Sequence, residues 1–424
     1  MSATTRQDSR AAGVAAAAVS GARVAGPGRP FFPEFEGLRA VAALLVVMVH
    51  TSFASGFTLR SPLGTYTARG DSGVSVFFLI SGFLLYRPFV AAHFAGRPGP
   101  DVRTFLVRRA LRIVPLYWVV LTVVYTVTGW SHVGGLEGVA RTYLFAQVYS
   151  LPWVLTGITQ AWSLDIEVVF YLLLPVYAAL LARRVRGARS PERQLRLELL
   201  GLAGLYMIAF AFHAFVLLRP SHATVTWHGW LPTWLDMFAL GMLLAVGSVW
   251  YERRGSSPRW STLPGADLAC WVGAAAVYAV LSTSVGLRTD PLYVGSGRSE
   301  LASHALSGLF ALLLLLPAVF GRERGGLVRR LLTWRPVAAI GLVSYGVYLW
   351  HQFVVHQMLR HGFHELNSPY PQFLAVALGV TLALSTITYL LVERVGVGVG
   401  HRWVRRRREQ LAAPEASSGG ASAG

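Results

Sequence analysis

The sequence is poor in cysteine, in lysine and in charge. Cys270 is the one cysteine among 424 residues, and all 38 basic residues are arginines. A single cysteine excludes an internal disulfide and a cysteine-rich metal motif. Charged residues make up only 14% of the chain, whereas 54% are hydrophobic and the mean hydropathy is +0.49. This balance excludes an ordinary soluble protein of this size and indicates an integral membrane protein.

Apolar runs long enough to cross a bilayer define the predicted fold class. We predict an all-α integral membrane protein, a bundle of about ten transmembrane helices with both termini in the cytoplasm. A shorter run over 141–155 contains polar residues and Pro152, which favours an interfacial or re-entrant segment over a spanning one. The spanning runs cover residues 37–57, 73–94, 110–129, 162–182, 197–218, 231–249, 267–286, 303–320, 337–358 and 372–392.

The distribution of arginines supports this topology. With both termini inside, 31 of the 38 arginines fall in cytoplasmic segments, as the positive-inside rule predicts. We expect a disordered cytoplasmic tail over 1–33 rather than a cleaved signal peptide, a transmembrane domain over 34–396, and a basic, then disordered, cytoplasmic tail over 397–424. The net charge of +18 is spread over alternate loops, which favours lipid headgroups and excludes nucleic acid as the partner.

Two ionisable residues share one face of the first span. Arg39 and His50 are eleven residues apart in an apolar run, so about 100° per residue aligns them after roughly three turns, about 16 Å apart. Ionisable groups at such depth are costly and are therefore functional candidates. Arg108, Arg109 and Arg112 enter the third span at helical spacing, and their guanidinium groups suit phosphate binding beside Arg39. Positive-inside anchoring is the alternative for these three.

A carboxylate is predicted at the depth of His50. Glu167 shares a face of its span with Ser163 and Tyr171, about five residues or roughly 8 Å from the outer surface. A nearby carboxylate can orient an imidazole and stabilise its cationic form. An interhelical salt bridge or hydrogen bond is the alternative for Glu167. Asp165 lies off this face and is expected to be solvated near the headgroups.

A polar stripe is predicted on the span over 337–358. Gly341, Ser344, Tyr348 and His351 follow one another at spacings of three, four and three. His213 and Asp236 reach the same outer level on their own spans, although single histidines in such positions more often hydrogen-bond between helices. The convergence of these groups predicts a polar chamber that opens outward. The small residues over 73–82 favour close packing of neighbouring helices over the approach of a slender ligand.

In their order and spacing, seven segments between residues 34 and 394 resemble the membrane-bound acyltransferase family 3. This family acylates bacterial cell-surface polysaccharides, lipopolysaccharide, peptidoglycan and some macrolides. Arg39 and His50 match its Arg-x10-His motif, and Arg108, Arg109 and Arg112 match its Arg-Arg-x-x-Arg motif. Glu36 stands where the family usually has aspartate, and no hydrolase-like domain is expected after the last span. The segments are EGLRAVAALLVVMVH, GVSVFFLISGFLL, RRALRIVPLYW, WSLDIEVVFYLLLP, FALGMLLA, GLVSYGVYLWH and YLLVER.

The resemblance implies an O-acyltransferase of the bacterial cytoplasmic membrane. It would take an acyl group, with acetyl favoured, from cytoplasmic acyl-CoA to a hydroxyl of a carbohydrate or glycosylated acceptor. His50, Glu167 and Arg39 are the predicted catalytic residues, with His50 as general base by direct transfer or through an acyl-histidine. Acyl-CoA is a co-substrate, and neither a cofactor nor a metal is expected. Arg39, Arg108, Arg109 and Arg112 are the predicted acyl-CoA ligands, and the predicted chamber, oxyanion or acceptor contacts are Ser81, Tyr117, Trp162, Ser163, Ser344, Tyr345, Tyr348 and His351.

Three other functions are open on the sequence alone. A flippase or exporter of a lipid-linked sugar or secreted metabolite would use the same chamber without acyl transfer, but the sequence has no clear inverted repeat or Gly/Pro-broken helix pair of the transporter sort. A non-catalytic sensor leaves the alignment of Arg39 with His50 unexplained. A zinc enzyme lacks a His-Glu-x-x-His motif. The acyl chain, the acceptor and the oligomeric state are not determined by these patterns.

Overall fold

The computed structural model describes residues 32–154, 156–219, 226–283, 285, 297–321 and 326–418, and these residues contain no strand. Nine of their helices are long and apolar enough to span a membrane, and a bent helix pair makes a tenth span. The predicted all-helical fold is therefore confirmed. The helices named below are α1 Glu34–Ser55, α2 Ser72–Phe94, α3 Val102–Thr128, α4 Gly135–Tyr143, α5 Trp162–Arg186, α6 Pro191–Leu218, α7 Leu231–Arg253, α8 Ala266–Thr283, α9 Gly297–Phe320, α10 Leu327–Leu332, α11 Arg335–Leu342, α12 Ser344–Arg360, α13 Tyr370–Thr388 and α14 Arg394–Ser418.

Ion pairs gather the arginine-rich ends of several helices on one side of the bundle. Arg329 Nε lies 2.6 Å from Glu34 at the start of α1, and Arg407 of α14 lies 3.6 Å from Asp101 before α3. We call this side the basic face. Asp101 caps α3 by accepting from the hydroxyl and the backbone N–H of Thr104, and these two hydrogen bonds lower the pKa of Asp101.

The opposite face is formed where α1, α3 and α12 end. There Arg60 Nη1 donates to Asn367 Oδ1 at 2.8 Å, which joins the chain after α1 to the loop after α12. His50 lies five residues before the end of α1, whereas Arg39 lies five residues after its start. The two residues of the sequence motif therefore lie near opposite faces of the bundle.

Close helix packing around α2 matches the prediction from its small residues. A methyl group at Gly73 would overlap with the carbonyl oxygen of Ala42 in α1, and one at Gly82 would overlap with that of Phe238 in α7. Glycine at these two positions lets the backbones of α1 and α7 approach α2 directly. This packing fixes α1, and with it Arg39 and His50, at the centre of the molecule.

The span predicted over 337–358 is not a continuous helix. α11 and α12 meet at an angle of 71° around Val343. Gly341 of α11 lies directly against α1, since a methyl group there would overlap with the carbonyl oxygen of Glu36. The expected stripe is consequently split, with Gly341 on one half and Ser344, Tyr348 and His351 on the other. The described residues thus include one broken helix pair, although the sequence shows no clear Gly/Pro-broken pair of the transporter sort.

Two further segments complete the fold. The described part of 141–155 contains the end of α4 and a 3-10 turn but no spanning helix, and it is fixed to α3 by Trp118 Nε1, which donates to the Tyr143 carbonyl at 2.9 Å. After α13 the chain makes one π-helical segment, Tyr389–Glu393, and continues into α14. α14 includes residues 397–418, for which the sequence predicts a basic and then disordered tail.

Candidate functional site

Two histidine rings are in contact between α1 and α12. His50 Nδ1 lies 3.3 Å from His351 Nε2, and the ring centroids are 4.9 Å apart. His351 is only 1% exposed, whereas His50 is half-buried. The partner of the His50 ring is thus a second imidazole, a role for which the sequence pattern favours Glu167.

Backbone carbonyls decide which nitrogen of each ring carries the proton. His50 Nδ1 lies 2.8 Å from the Val46 carbonyl oxygen, and His351 Nδ1 lies 3.1 Å from that of Val347. Because a carbonyl oxygen can only accept, both Nδ1 atoms are donors when the rings are neutral. His351 Nε2 therefore keeps a lone pair, and it shares the His50 Nδ1 proton with the Val46 carbonyl oxygen, which is the nearer acceptor. His50 Nε2 keeps a lone pair as well, which is what a general base requires.

Polar groups extend from this pair onto α5. The Tyr348 hydroxyl donates to the Gln160 carbonyl oxygen at 2.5 Å, and Ser163 Oγ lies 2.7 Å from the same hydroxyl. The Gln160 side chain, in turn, donates to the carbonyl of Tyr348 at 3.0 Å and to that of Leu349 at 2.9 Å. These contacts fix α12 to the start of α5. Tyr348 and His351 both use their protons on backbone carbonyls, so as predicted oxyanion donors they would have to give up these bonds.

Glu167 lies one turn further along the same face of α5. It accepts a short hydrogen bond from Ser81 of α2, and Tyr171 hydrogen-bonds to it one turn below. Its charge is also within electrostatic range of Arg109 and Arg112 on α3. The expected shared face of Ser163, Glu167 and Tyr171 is confirmed, but the structure places Glu167 between α2 and the arginines.

Three arginines and three carboxylates form an electrostatic cluster on the basic side of Glu167. Arg39 Nη1 donates to Glu36 Oε1 at 2.9 Å. Arg109 is within electrostatic range of Arg39 and Arg112, and the carboxylates near Arg112 are Glu393, Glu36 and Glu167. Opposite charges of this kind make burial of guanidinium groups tolerable. Arg109 Nε is buried and has no hydrogen-bond partner in the described part of the chain, so it is a donor available to a ligand.

These groups follow one another across the bundle, and we call them the polar column. It extends from the histidine pair near the opposite face to the arginine cluster. The eight residue steps from Ser163 to Tyr171 account for about 12 Å of its length at 1.5 Å per residue. Its members are His50, His351, Tyr348, Ser163, Glu167, Tyr171, Arg109, Arg112 and Arg39.

Other predicted contacts lie beside the column. Tyr117 donates its hydroxyl to the Thr142 carbonyl at 2.8 Å, and Tyr345 donates to that of Ile113 at 2.8 Å. Trp162 packs against Trp234 with ring centroids 5.2 Å apart. Ser344 is buried at the break between α11 and α12, and Arg108 is half-buried on α3. The hydroxyls of Tyr117 and Tyr345 hold α4 and α12, respectively, against α3.

Asp165 is not solvated, contrary to expectation. It is 0% exposed, and one of its oxygens lies 3.4 Å from the backbone N–H of Val148. The loop after α4 folds over the start of α5 and covers this carboxylate. The position of Asp165 along its helix does not predict its burial, because the residues that bury it belong to an irregular segment.

His213 and Asp236 belong to a second cluster rather than to the chamber around His50. Asp236 Oδ2 lies 2.8 Å from His304 Nε2, and the rings of His213 and His304 meet edge to face at 4.1 Å. Trp234 packs on His304 at 5.1 Å on the side toward Trp162. Within the described residues, no group of three histidine, cysteine or acidic side chains is arranged to hold a metal ion.

Glu393 is a site residue that sequence reasoning missed. It is 4% exposed, and its charge reaches Arg112 and the Tyr345 hydroxyl. Glu393 ends the π-helical segment, a distortion often found at functional sites. Its place in the segment YLLVER was the available signal, because a carboxylate at the end of an apolar span requires a cationic partner.

A family model described as an acyltransferase domain matches residues 32–390. The chain belongs to this acyltransferase family. The matched range includes every residue of the polar column and ends inside the π-helical segment. No solved structure matches the chain significantly.

Three relatives have names that indicate polysaccharide modification or transacylation. The putative peptidoglycan O-acetyltransferase YrhL of Bacillus subtilis (strain 168) is 25% identical over 89% of this chain, which spans only 56% of that relative's length. The putative membrane-bound transacylase BcsY of Komagataeibacter xylinus is 26% identical, over 88% of this chain and 86% of its own. The exopolysaccharide production protein ExoZ of Rhizobium meliloti (strain 1021) is 27% identical, over 80% and 93%.

Proposed function

We propose that this protein is a multi-pass O-acyltransferase of the bacterial cytoplasmic membrane. It takes an acyl group, with acetyl favoured, from acyl-CoA at the basic face to a hydroxyl of a carbohydrate or glycosylated acceptor at the opposite face. The observation that carries this proposal is the polar column, which connects a histidine with a free ring nitrogen to a buried arginine cluster. The names of the relatives, which mention peptidoglycan and exopolysaccharide, support a saccharide acceptor.

The donor is held by arginines on α1 and α3. Arg39, Arg108, Arg109 and Arg112 supply guanidinium groups suited to the phosphates of CoA. Glu36, Glu167 and Glu393 compensate the buried charge when no donor is bound, so phosphate binding rearranges existing ion pairs. The pantetheine arm then follows the polar column and carries the thioester to His50.

Acyl transfer is a displacement at the thioester carbonyl. His50 Nε2 removes the proton of the acceptor hydroxyl, and the acceptor oxygen attacks the carbonyl carbon. The C–S bond breaks, the CoA sulfur leaves as thiolate, and the protonated His50 returns the proton to that sulfur. The products are the acyl ester and free CoA. An acyl-histidine intermediate is the alternative route, in which His50 itself attacks the carbonyl.

His351 stabilises the cationic ring that forms during this step. Its Nε2 lone pair faces His50 Nδ1, and the Val46 carbonyl accepts from the same nitrogen. Both acceptors favour a positive His50 ring. Glu167 acts at the arginine end of the column, where its charge compensates Arg109 and Arg112.

Purified protein in proteoliposomes with radiolabelled acetyl-CoA tests the proposal. His50→Ala is expected to reduce acetyl transfer by about 10²–10⁴-fold, the usual contribution of a general base. Labelled acetyl-CoA should still bind to His50→Ala, whereas this binding should be lost in Arg109→Gln. His361→Ala is the matched control, since His361 is exposed and lies after α12. Full transfer by His50→Ala would refute the mechanism.

The transporter alternative is not favoured by the family match or by the relatives' names. A broken helix pair like α11 and α12 does occur in transporters. Here the break is packed directly on α1 through Gly341. Uptake or export without consumption of acetyl-CoA would support the transporter.

A further inference from the structure

α14 packs along the first half of α3, and the two helices run antiparallel. Gly396 lies directly against α3, since a methyl group there would overlap with the carbonyl oxygen of Leu111. Further along α14, Arg407 Nη2 lies 3.6 Å from Asp101 Oδ2, just before α3 begins. The range that the family model matches ends at residue 390, before α14 begins. The side chains of α14 are therefore features of this chain outside the matched domain.

Each of these two helices turns one stripe of residues toward the other. On α3 the stripe takes every third or fourth residue from Asp101 to Pro115, because a methyl group at Gly396 would meet both Leu111 and Pro115. Arg108 belongs to this stripe and lies seven residue steps, or about 10 Å, from Asp101. The facing stripe of α14, at spacings of four, three and four, contains Gly396, Gly400, Trp403 and Arg407.

The guanidinium group of Arg407 is only partly paired. Its distance of 3.6 Å to Asp101 exceeds the usual length of a hydrogen bond. Its Nη1 atom is buried and has no hydrogen-bond partner in the described part of the chain. A buried donor without an acceptor is uncommon in a folded protein and is explained when a ligand supplies the acceptor. A phosphate group offers several acceptor oxygens and the opposite charge.

The indole of Trp403 positions two guanidinium groups beside the start of α3. The Cζ atoms of Arg407 and Arg103 lie 5.5 Å and 5.6 Å from the centre of a Trp403 ring. Cation–π contacts at such distances restrict these long side chains. Asp101 is within electrostatic range of both arginines, but one carboxylate compensates only one of two positive charges. The pair therefore retains charge for an anion.

Two groups of arginines along one groove match the chemistry of the proposed donor. CoA carries a diphosphate on the 5′ carbon of its ribose and a phosphomonoester on the 3′ carbon of the same ribose. Arg108 is among the proposed ligands of the diphosphate, and Arg407 lies beside Asp101, about 10 Å closer to the start of α3. Resting on the proposed function, we propose that the groove between α3 and α14 binds the 3′-phosphate of acyl-CoA, with Arg407 as its main ligand and Arg103 beside it.

A donor without the 3′-phosphate tests this proposal. The purified full chain in phosphatidylcholine nanodiscs is titrated with acetyl-CoA and with acetyl-dephospho-CoA, which lacks only that phosphate. The parent is expected to bind acetyl-CoA about ten-fold more tightly, and Arg407→Gln should lose this preference. Arg407→Gln should bind acetyl-dephospho-CoA as the parent does, which also shows that the variant is folded. Arg405→Gln is the matched control and should keep the preference, since Arg405 is on the same helix but 73% exposed, 3.9 Å from Glu409.

An anionic lipid headgroup presents the same phosphate chemistry, and a second set of nanodiscs that contain phosphatidylglycerol distinguishes it. If the site binds lipid instead, phosphatidylglycerol should raise the melting temperature of the parent but not of Arg407→Gln, and both should prefer acetyl-CoA to the same extent. That result would overturn the 3′-phosphate site.

The binding data also separate this inference from the proposed function. Equal affinity of the parent for the two donors, or a preference that Arg407→Gln retains, would overturn the 3′-phosphate site and leave the proposed function intact. If the parent binds neither donor, the proposed function fails and this inference fails with it.

Discussion

At the scale of single residues, the contact of His50 Nδ1 with His351 Nε2 determines which nitrogen of His50 can act as a base. The spacing of Arg39 and His50 predicts that they share a helix face, whereas the polar column between them runs through α12 and α5. Their partners could not be predicted, because periodicity gives the face of a side chain but not the helix that faces it. His351 was therefore predicted as a chamber residue, and its contact with His50 emerged only from the packing of α12 on α1.

His351 is a positioning residue, and graded substitutions test that role. His351→Phe removes the acceptor facing His50 Nδ1 and is expected to lower kcat at least ten-fold, since a hydrogen bond to a charged group is worth about 1.5–3 kcal/mol. KM for acetyl-CoA should change little. His351→Asn retains an acceptor oxygen and should recover part of kcat.

The comparison with His361→Ala, an exposed position after α12, controls for general effects of histidine loss. If His351→Phe and His351→Asn are equally impaired, His351 only fills space and the proposed stabilisation of the His50 cation is refuted. A change confined to the KM for acetyl-CoA, with kcat unchanged, would also refute the proposed stabilisation of the His50 cation.

At the scale of elements, the span that contains α11 and α12 is predicted by the local sequence, whereas the break between them depends on tertiary contacts. Apolar length predicts a span over 337–358, and that stretch does cross the molecule. The bend of 71° depends on the contact of Gly341 with the backbone of α1 and lies beyond any local pattern. Arg69 is a similar case, since its burial against the Leu281 carbonyl at 2.9 Å joins the chain before α2 to α8.

Paired glycine substitutions test the contact of α11 with α1. Gly341→Ala is expected to destabilise the protein by about 1–3 kcal/mol, because its methyl group overlaps with the Glu36 carbonyl oxygen. Gly379→Ala in α13 meets no atom within 4 Å and should be neutral or stabilising by up to about 1 kcal/mol. Thermal unfolding in detergent, followed by size-exclusion fluorescence, measures both. Equal melting temperatures for the two variants would contradict the close approach.

At the scale of the whole molecule, composition and arginine counts predict the helical membrane fold and the number of spans. They also predict an orientation, with the basic face toward the cytoplasm. The second histidine cluster was beyond prediction, because it is assembled from segments far apart in the chain. The sequence indicates His213 and Asp236 as ionisable residues within spans. It does not indicate that they pack with His304.

Two single-cysteine variants test the orientation. Leu63 and Leu327 are each 61% exposed, at the opposite face and the basic face respectively. In a Cys270→Ser background, Leu63→Cys should react with an impermeant maleimide in intact cells, whereas Leu327→Cys should react only in inside-out vesicles. The reverse pattern would place acyl-CoA binding on the wrong side of the membrane for a cytoplasmic donor.

The bend in the tenth span also has a consequence for the passage of the acceptor. α12 has 17 residues and is therefore about 25 Å long, less than a hydrocarbon layer of about 30 Å. His351 is nine residues from the end of α12, which is about 13 Å. α12 alone is too short to cross this layer, so the rest of the tenth span depends on α11, which lies at 71° to it. In the proposed reaction, an acceptor hydroxyl therefore has to travel about 13 Å along α12, inside the bundle, to meet the buried imidazoles.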